Sequence, residues 1–571
     1  MKIQDIFNLT RAPEFRRYLC DLLVELCRID TTPNPDVSVM RTAEDKAFAI
    51  LERELKPLAF EGMELRRHPI NPEMTGNPNY SLLHFTKTPQ RPEGLSPRET
   101  YAGRGNLLCV LPGTGEGDGR SVAVNSHVDV VAPYFPPRVE KDVVHGRGAC
   151  DDKGAVVATV GAFKVLRSLM SREKLRWKKN VVGMFVVEEE TGGNGSLSLA
   201  LDRDLKKLYD TILVGECTDL NIHPANRGAV WYRADLRLPG VSLFEMSAFV
   251  IEELEKEGRA IWTESFHPLF PQRPVQTCHG MMGSFGEHPS RICGEICFTI
   301  GFDRAPNGKV EQLIKDCLDV AVTDYCGIYG DKTKVNDPRT GKPKVVRHYD
   351  LRREGNGFVV TVYGSTGHMG SIRENDGAIT KMAWMTRSLV YCRAKMETFA
   401  EGAMRLELGG KPHGETLKLE GGQGFVPTHP IKDVMERMRQ AAARGAETYL
   451  RRLGRLEKGG DVVKVTYDKL HNVAFDGDPD SVSMRNAIAA ARACGMWKEQ
   501  PVAGWTVSCD SRIFATEYPG LNVLTVGPGK LTHAHSDQEQ LPLDELVKGA
   551  EFLVLFLLKQ TGTAEMDFSA D

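Results

Sequence analysis

SVAVNSHVDVVAPYFPPRVEKDVVHGRGACDDKG, residues 121–154, sets two kinds of metal-ligand side chain at the ends of apolar runs. Ser121 to Ser126 reads as a short β run ending at His127, and Asp129 falls two residues on, on the same face if the strand continues. A carboxylate there orients the imidazole from behind, as carboxylates do for metal-bound histidines. Gly146, Arg147, Gly148 and Ala149 then form a small-residue turn that delivers Asp151 and Asp152. Lys153 and Gly154 follow, and a helix-like run starts at Ala155. Taken alone, DDKG reads as a surface turn whose aspartate caps a helix. Beside HVDVV it reads as half of a metal site.

Working outward, Glu14 to Arg28 carries Phe15, Tyr18, Leu19, Leu22, Leu23 and Leu26 at helical spacing, and a second helix is expected over Ala43 to Lys56. Asn71 to Thr100 is rich in proline and polar residues and reads as irregular, with a strand at Asn106 to Leu111. Two further apolar runs, Val181 to Val187 and Thr211 to Val214, each end in acid, at VVEEETGGNGS and GECTDL. Strands alternating with helices, with reactive side chains at their carboxyl ends, predict an α/β catalytic domain: a mostly parallel sheet with helices on both faces. From about Arg227 the pattern changes. GAVWYRADLRL, ICFTIGF, GFVVTVYG and VVKVTY read as strands. Between them lie helical spacings such as Met246, Phe249, Val250 and Leu254; Val310, Leu313, Ile314 and Cys317; and Ile431, Val434, Met435 and Met438. From Ser481 the chain returns to motifs of the first kind. The expected organisation is a catalytic domain in two parts, 1–224 and 473–571, interrupted by an enlarged α+β lid or dimerisation-type domain, 225–472.

Basic and acidic residues nearly cancel, 73 against 76, for a formal net charge of −3. That leaves no electrostatic footprint for nucleic acid or anionic lipid. The 13 cysteines are odd in number and form no CxxC pair, which suits free thiols in a reducing compartment. Cys150, Cys217 and Cys509 sit beside the motifs and are read as packing residues. MKIQDIFNLTRAPEF has no apolar core of signal-peptide length, and Phe552 to Leu558 is too short to span a bilayer. The expectation is a cytoplasmic protein with neither nucleic acid nor membrane as partner.

Five segments in order, HVDVV, GRGACDDKG, EEETGG, GECTDL and THAHSDQEQ, resemble the di-zinc metallopeptidase family of aminoacylases, carnosinase-type dipeptidases, glutamate carboxypeptidase and succinyl-diaminopimelate desuccinylase. Asn125 and Ser126 depart from the family's residues before the histidine. GGQGFVP offers Gln423 where many relatives carry an asparagine that contacts substrate. The resemblance implies two divalent metal ions, zinc first, with cobalt or manganese as alternatives suited to the same N/O ligands. Asp151 would bridge, with His127 and Glu216 completing one site and Glu190 and His535 the other. Asp219 is the alternative to Glu216. Anchored on Gly192, the acidic run makes Glu189 the general base, Glu190 a ligand and Glu188 the leading acid, and a slip of one residue would move both roles. Such a metal pair, about 3.5–4 Å apart, holds a bridging water and polarises a carbonyl. Glu189 would take the water's proton and return it to the leaving amine, while His368, in GSTGHMG, would donate to the developing oxyanion. Glu539 would support the ligands from behind. Arg512, in GWTVSCDSRIFA, would clamp a substrate carboxylate bidentately, or else serve a structural salt bridge. The enlarged lid implies a monomer with a pseudo-dimeric lid, or a homodimer. The implied activity is hydrolysis of an amide bond in a short peptide, of dipeptidase or carboxypeptidase type. The rivals are an N-acyl-amino-acid deacylase and an inert metal-binding scaffold.

Overall fold

The apolar runs that end in His127, in the glutamates and before Glu216 lie side by side in one sheet. The computed structural model describes residues 2–286, 291–336, 341–368, 376–400, 406–409, 415–467 and 471–564, with the side chains of His368 and Leu406 outside that description. The six strands run, across the sheet, Glu64–Pro69, Gly105–Leu111, Val181–Val186, Val122–His127, Thr211–Val214 and Asn522–Thr525. The last four are parallel to one another and the first two pair antiparallel at one edge. All residues of the four central strands are buried, as strands covered on both faces must be. Val124 lies among Ala155, Ala158 and Leu553 of helices Lys153–Glu173 and Leu543–Gln560. The next side chain, Asn125, points the other way and donates to Ser196 Oγ (3.1 Å) on helix Asn194–Ala200. Helices therefore cover both faces, and the polar Asn125 is satisfied by a helix hydroxyl. Gly183 permits the close approach of helix Lys153–Glu173, since a Cβ there would stand 3.0 Å from Phe163 Cε2. That helix begins at Lys153, two residues earlier than the sequence predicts. It is long and apolar enough to cross a membrane, but 78% of its apolar window is buried inside the protein.

The contacts divide the chain into two units: residues 1–228, 268–271 and 472–571, and residues 229–267 and 272–471. The four residues 268–271, placed in the lid by the sequence reading, group with the first unit. Leu269 O accepts from Gly504 N there, and the Phe270 ring occupies the space over Gly504.

The second unit contains two sheets whose main four-strand paths share one plan; in the outer one His471–Asn472 adds a fifth, short strand beside Gly228–Leu236. In the outer half the strands are, in chain order, Gly228–Leu236, Thr277–Met282, Leu417–Phe425 and Val463–Thr466, with helices Leu243–Glu264 and Ile431–Arg452. In the inner half they are Glu295–Phe302, Tyr349–Glu354, Gly357–Tyr363 and Leu406–Gly409, with helices Gly308–Tyr329 and Ala378–Phe399. Both sheets are ordered second, third, first, fourth. The chain is thus a βαββαβ unit inserted between the second and third strands of another βαββαβ unit. Side chains start the first helix of each half. Ser242 accepts from Glu245 N (3.2 Å) and Asn307 from Val310 N (3.1 Å). GGQGF, the first five residues of GGQGFVP, ends strand Leu417–Phe425. Gln423 is fully buried there, accepting from Thr277 Oγ1 and donating to Gly424 O.

Candidate active site

At the carboxyl end of strand Val122–His127, His127 Nδ1 lies 3.0 Å from the Asp129 carbonyl oxygen and 3.5 Å from its carboxylate. With the ring proton donated there, Nε2 faces Asp151 Oδ1 at 3.2 Å. The other Asp151 oxygen lies 3.3 Å from His535 Nε2, which is 3.1 Å from Glu190 Oε1. One carboxylate therefore presents one oxygen to each of two imidazoles. Ligand atoms of His127, Glu189 and Glu216 also fall within 4.8 Å of one another, as do those of Asp151, Glu216 and Cys217. The sequence reading took Cys217 as packing. It is packed, but its sulfur borders the cluster, and burial pushes its thiol pKa well up.

The support is built from the same loops. The strand stops at His127, so Asp129 acts from the following loop. There its two oxygens accept from Glu189 N (3.2 Å) and Glu190 N (3.0 Å). Glu188 turns away: it accepts from Arg104 Nη1 (2.5 Å) and Tyr101 Oη (3.0 Å), and its backbone is left-handed at φ 66°. Such a conformation costs about 1–3 kcal/mol and persists only where the surroundings fix it. Here the fixing group is Arg104, which also holds Glu44 through Nε (3.0 Å) and Nη2 (2.6 Å). Glu189 and Glu190 consequently face the cluster, in the register anchored on Gly192. Asp219 does not: it is half-buried and pairs with Lys498 (3.0 Å). Glu539 reaches no imidazole. It accepts from the amides of Cys150 and Asp151 (3.2 Å each) and from Arg147 Nη1 (2.6 Å), and burial pushes its pKa up to about 7. Arg512, 2% exposed, donates to Gly192 O (2.9 Å) and so braces the turn after Glu190. Beside it Asp510, unread in the sequence, has its pKa pushed up by burial to about 6. The CDSR run that carries it was the available signal. His368 ends a two-residue strand paired with Arg291–Ile292; its side chain lies outside the described residues.

Whether these residues suit metal ions is answered by their charges. Asp151, Asp152, Glu189, Glu190 and Glu216 converge with two imidazoles, and no lysine or arginine among the described residues bonds to any of the five carboxyls. Burial, then repulsion by Asp510 for Glu189 and by Glu189 for Glu216, drives both well above the ordinary carboxyl range. Burial alone would lower His535, but Glu190 and Asp151 hold it up at about 10. A buried anionic surplus with aligned imidazoles fits divalent cations.

The defining pattern of peptidase family M20/M25/M40 matches residues 123–559. The chain belongs to that family. Among M20 relatives, it is 27% identical over 190 residues to a peptidase M20 domain-containing protein of Schizosaccharomyces pombe, covering 32% of this chain and 45% of that one. It is 25% identical over 243 residues to N-formyl-4-amino-5-aminomethyl-2-methylpyrimidine deformylase of Halalkalibacterium halodurans, covering 38% and 56%. The aligned part thus spans about half of these relatives. The fold is similar to that of human carnosine dipeptidase 1 (14% identity, 98% of this chain and 100% of that one, TM-score 0.55). It is equally similar to the di-peptidase Dug1p of Saccharomyces cerevisiae (14%, 99% and 99%, 0.56).

Proposed function

We propose that this chain hydrolyses an amide bond of a short peptide, as a dipeptidase or carboxypeptidase, with Glu189 as general base beside a two-metal site. The observation that carries the reading is the Asp151 carboxylate, one oxygen toward His127 and the other toward His535. In this reading His127 and Glu216 hold one ion and Glu190 and His535 the other, with Asp151 shared. Zinc, cobalt or manganese suits the N/O donors. Bound divalent ions supply Lewis acidity, polarising the scissile carbonyl and lowering the pKa of water. Glu189, whose backbone is fixed by Asp129, accepts the proton of the attacking water and delivers it to the departing amine nitrogen. His368 donates to the oxyanion. Arg512 holds the Gly192 turn in register through Nη2, and its Nε and Nη1 are left to clamp a substrate carboxylate.

The doubled lid supports the dipeptidase branch and a monomer, because one chain carries two copies of the unit that a dimer would otherwise supply. Light scattering showing a stable dimer would remove the monomer reading. The deformylase among the relatives favours a second reading, release of an N-acyl group. Mass spectrometry of a mixed panel of dipeptides and N-acyl amino acids, with zinc- or manganese-loaded protein, decides between them. Glu189→Gln is expected to lose about 10²–10⁴-fold in turnover, the usual contribution of a positioned base. A fully active Glu189→Gln would refute the assignment, and no turnover by a metal-loaded wild type would favour the scaffold.

A further inference from the structure

The inner lid half contains a second convergence of soft and hard donors. Helix Gly308–Tyr329 carries Cys326 in its last turn. The chain then turns through Asp331, which caps Lys332–Lys334, and returns through His348 just before strand Tyr349–Glu354. His348 Nε2 stands 3.5 Å from Cys326 Sγ and 3.0 Å from Asp331 Oδ1. The three ligand atoms all lie within 4.8 Å of one another. A tetrahedral zinc ion, with Zn–S about 2.3 Å and Zn–N or Zn–O about 2.0–2.1 Å, separates its ligand atoms by about 3.3–3.6 Å. Two of the three edges already approach those lengths.

We propose that Cys326, Asp331 and His348 bind a zinc ion in the lid, with the fourth position open to solvent. Thiolate, imidazole and carboxylate together are zinc's own ligand types. The carboxylate is set by its own turn, independently of the histidine: Oδ1 accepts from Thr333 N (3.0 Å) and Thr333 Oγ1 (2.6 Å), and Lys334 Nζ lies 3.1 Å from Oδ2. Such outer hydrogen bonds orient a metal-binding carboxylate. All three side chains are half-buried, so an ion can enter and a water can complete the shell. The ion would tie the end of a helix to the start of a strand. The competing arrangement is a plain His348–Asp331 ion pair with Cys326 as a bystander. The site is separate from the hydrolytic cluster and does not rest on the hydrolase reading.

The test uses the full chain, stripped with chelator under reducing conditions and reloaded with Co²⁺ as the zinc probe. A thiolate-to-cobalt charge-transfer band in the near ultraviolet is expected. It should vanish in Cys326→Ser, verified as folded by circular dichroism, and persist in Cys217→Ser, the control for the other cluster. Bound metal should fall by one equivalent in Cys326→Ser, and Thr333→Ala should weaken that equivalent about 10–100-fold. On the wild type alone, Zn²⁺ should protect Cys326 from iodoacetamide, read by peptide mass spectrometry. A band that survives in Cys326→Ser, or labelling of Cys326 that zinc leaves unchanged, overturns the site and leaves the ion pair.

Discussion

Replacing Arg104 with methionine removes one charge from a place that water does not reach. The Arg104 and Glu188 side chains are each 1% exposed and Glu44 is 5% exposed. Truncating one partner of a buried ion pair costs about 3–5 kcal/mol, because the charges left behind are uncompensated. Spread over the roughly 330 residues of the first unit, at about 2.1 cal/mol/K per residue, that lowers the unfolding midpoint by about 4–7 °C. The loss should depend on pH. Burial already places the Glu188 carboxyl above its ordinary range, and Arg104 draws it back. In Arg104→Met the folded pKa rises further while the unfolded value stays near 4.3. Between those values the native variant keeps a proton that the unfolded chain releases, so its stability falls as pH rises. The slope reaches about 1.4 kcal/mol per pH unit for one proton. Scanning calorimetry of both proteins in the same metal state, at pH 5.5 and pH 8, should show the larger gap at pH 8. A loss below about 1 kcal/mol at pH 8, or a gap indifferent to pH, would refute the view of Arg104 as the cation that compensates two buried carboxylates.

Three further outcomes are expected. Glu539→Ala removes the acceptor that aims the Cys150 and Asp151 amides, and should weaken metal binding about 10–100-fold in competition with a chelator; unchanged affinity would deny it that role. In chelator-treated wild type, burial holds Asp510 near 6 and Glu539 near 7, while His535, which burial alone would lower, is held near 10 by Glu190 and Asp151. All three are raised in the folded state, so their stabilisation is present in mild acid and fades as pH climbs through those values: the apoprotein should melt higher at pH 5.5 than at pH 8, and the reverse order would contradict it. His368→Ala should keep its metal, by elemental analysis, and lose about a hundred- to thousandfold in turnover; full turnover would sink the oxyanion role.

The site is legible in the sequence where an apolar strand runs directly into its chemistry, as at Val122–His127, Val181–Val186 and Thr211–Val214. What holds those side chains is less legible. Arg104 meets Glu44 and Glu188 from 60 and 84 residues away, and Glu44 lies on a helix where an acid reads as solvent-facing. In the second unit, helix Ala378–Phe399 is buried around most of its first half, Lys381 included, and so lacks the one-sided stripe that betrays a surface helix. Strands Thr277–Met282 and Leu417–Phe425 hide because TCHGMM and LKLEGGQGF carry glycine and little alternation. Cys326, Asp331 and His348 match no zinc spacing, since a helix end, a turn and a strand start supply one ligand each.

The nesting within the second unit also dictates an order of events as the chain is made. Strand Thr277–Met282 must wait about 135 residues for its neighbour Leu417–Phe425, and closing an unstructured loop of that length costs about 4 kcal/mol in chain entropy. The inserted half relieves this cost. Its first and last strands are themselves neighbours, with Thr299 opposite Gly409 and Phe302 opposite Leu406, so once folded it draws the two outer strands together. During synthesis the inserted half emerges complete before Leu417 does. Of the two sheets of the second unit, a chain stopped short of Leu417 would therefore hold only the inner one. A lesion in the inner half would delay the outer one, whereas a lesion in the outer half would leave the inner one intact.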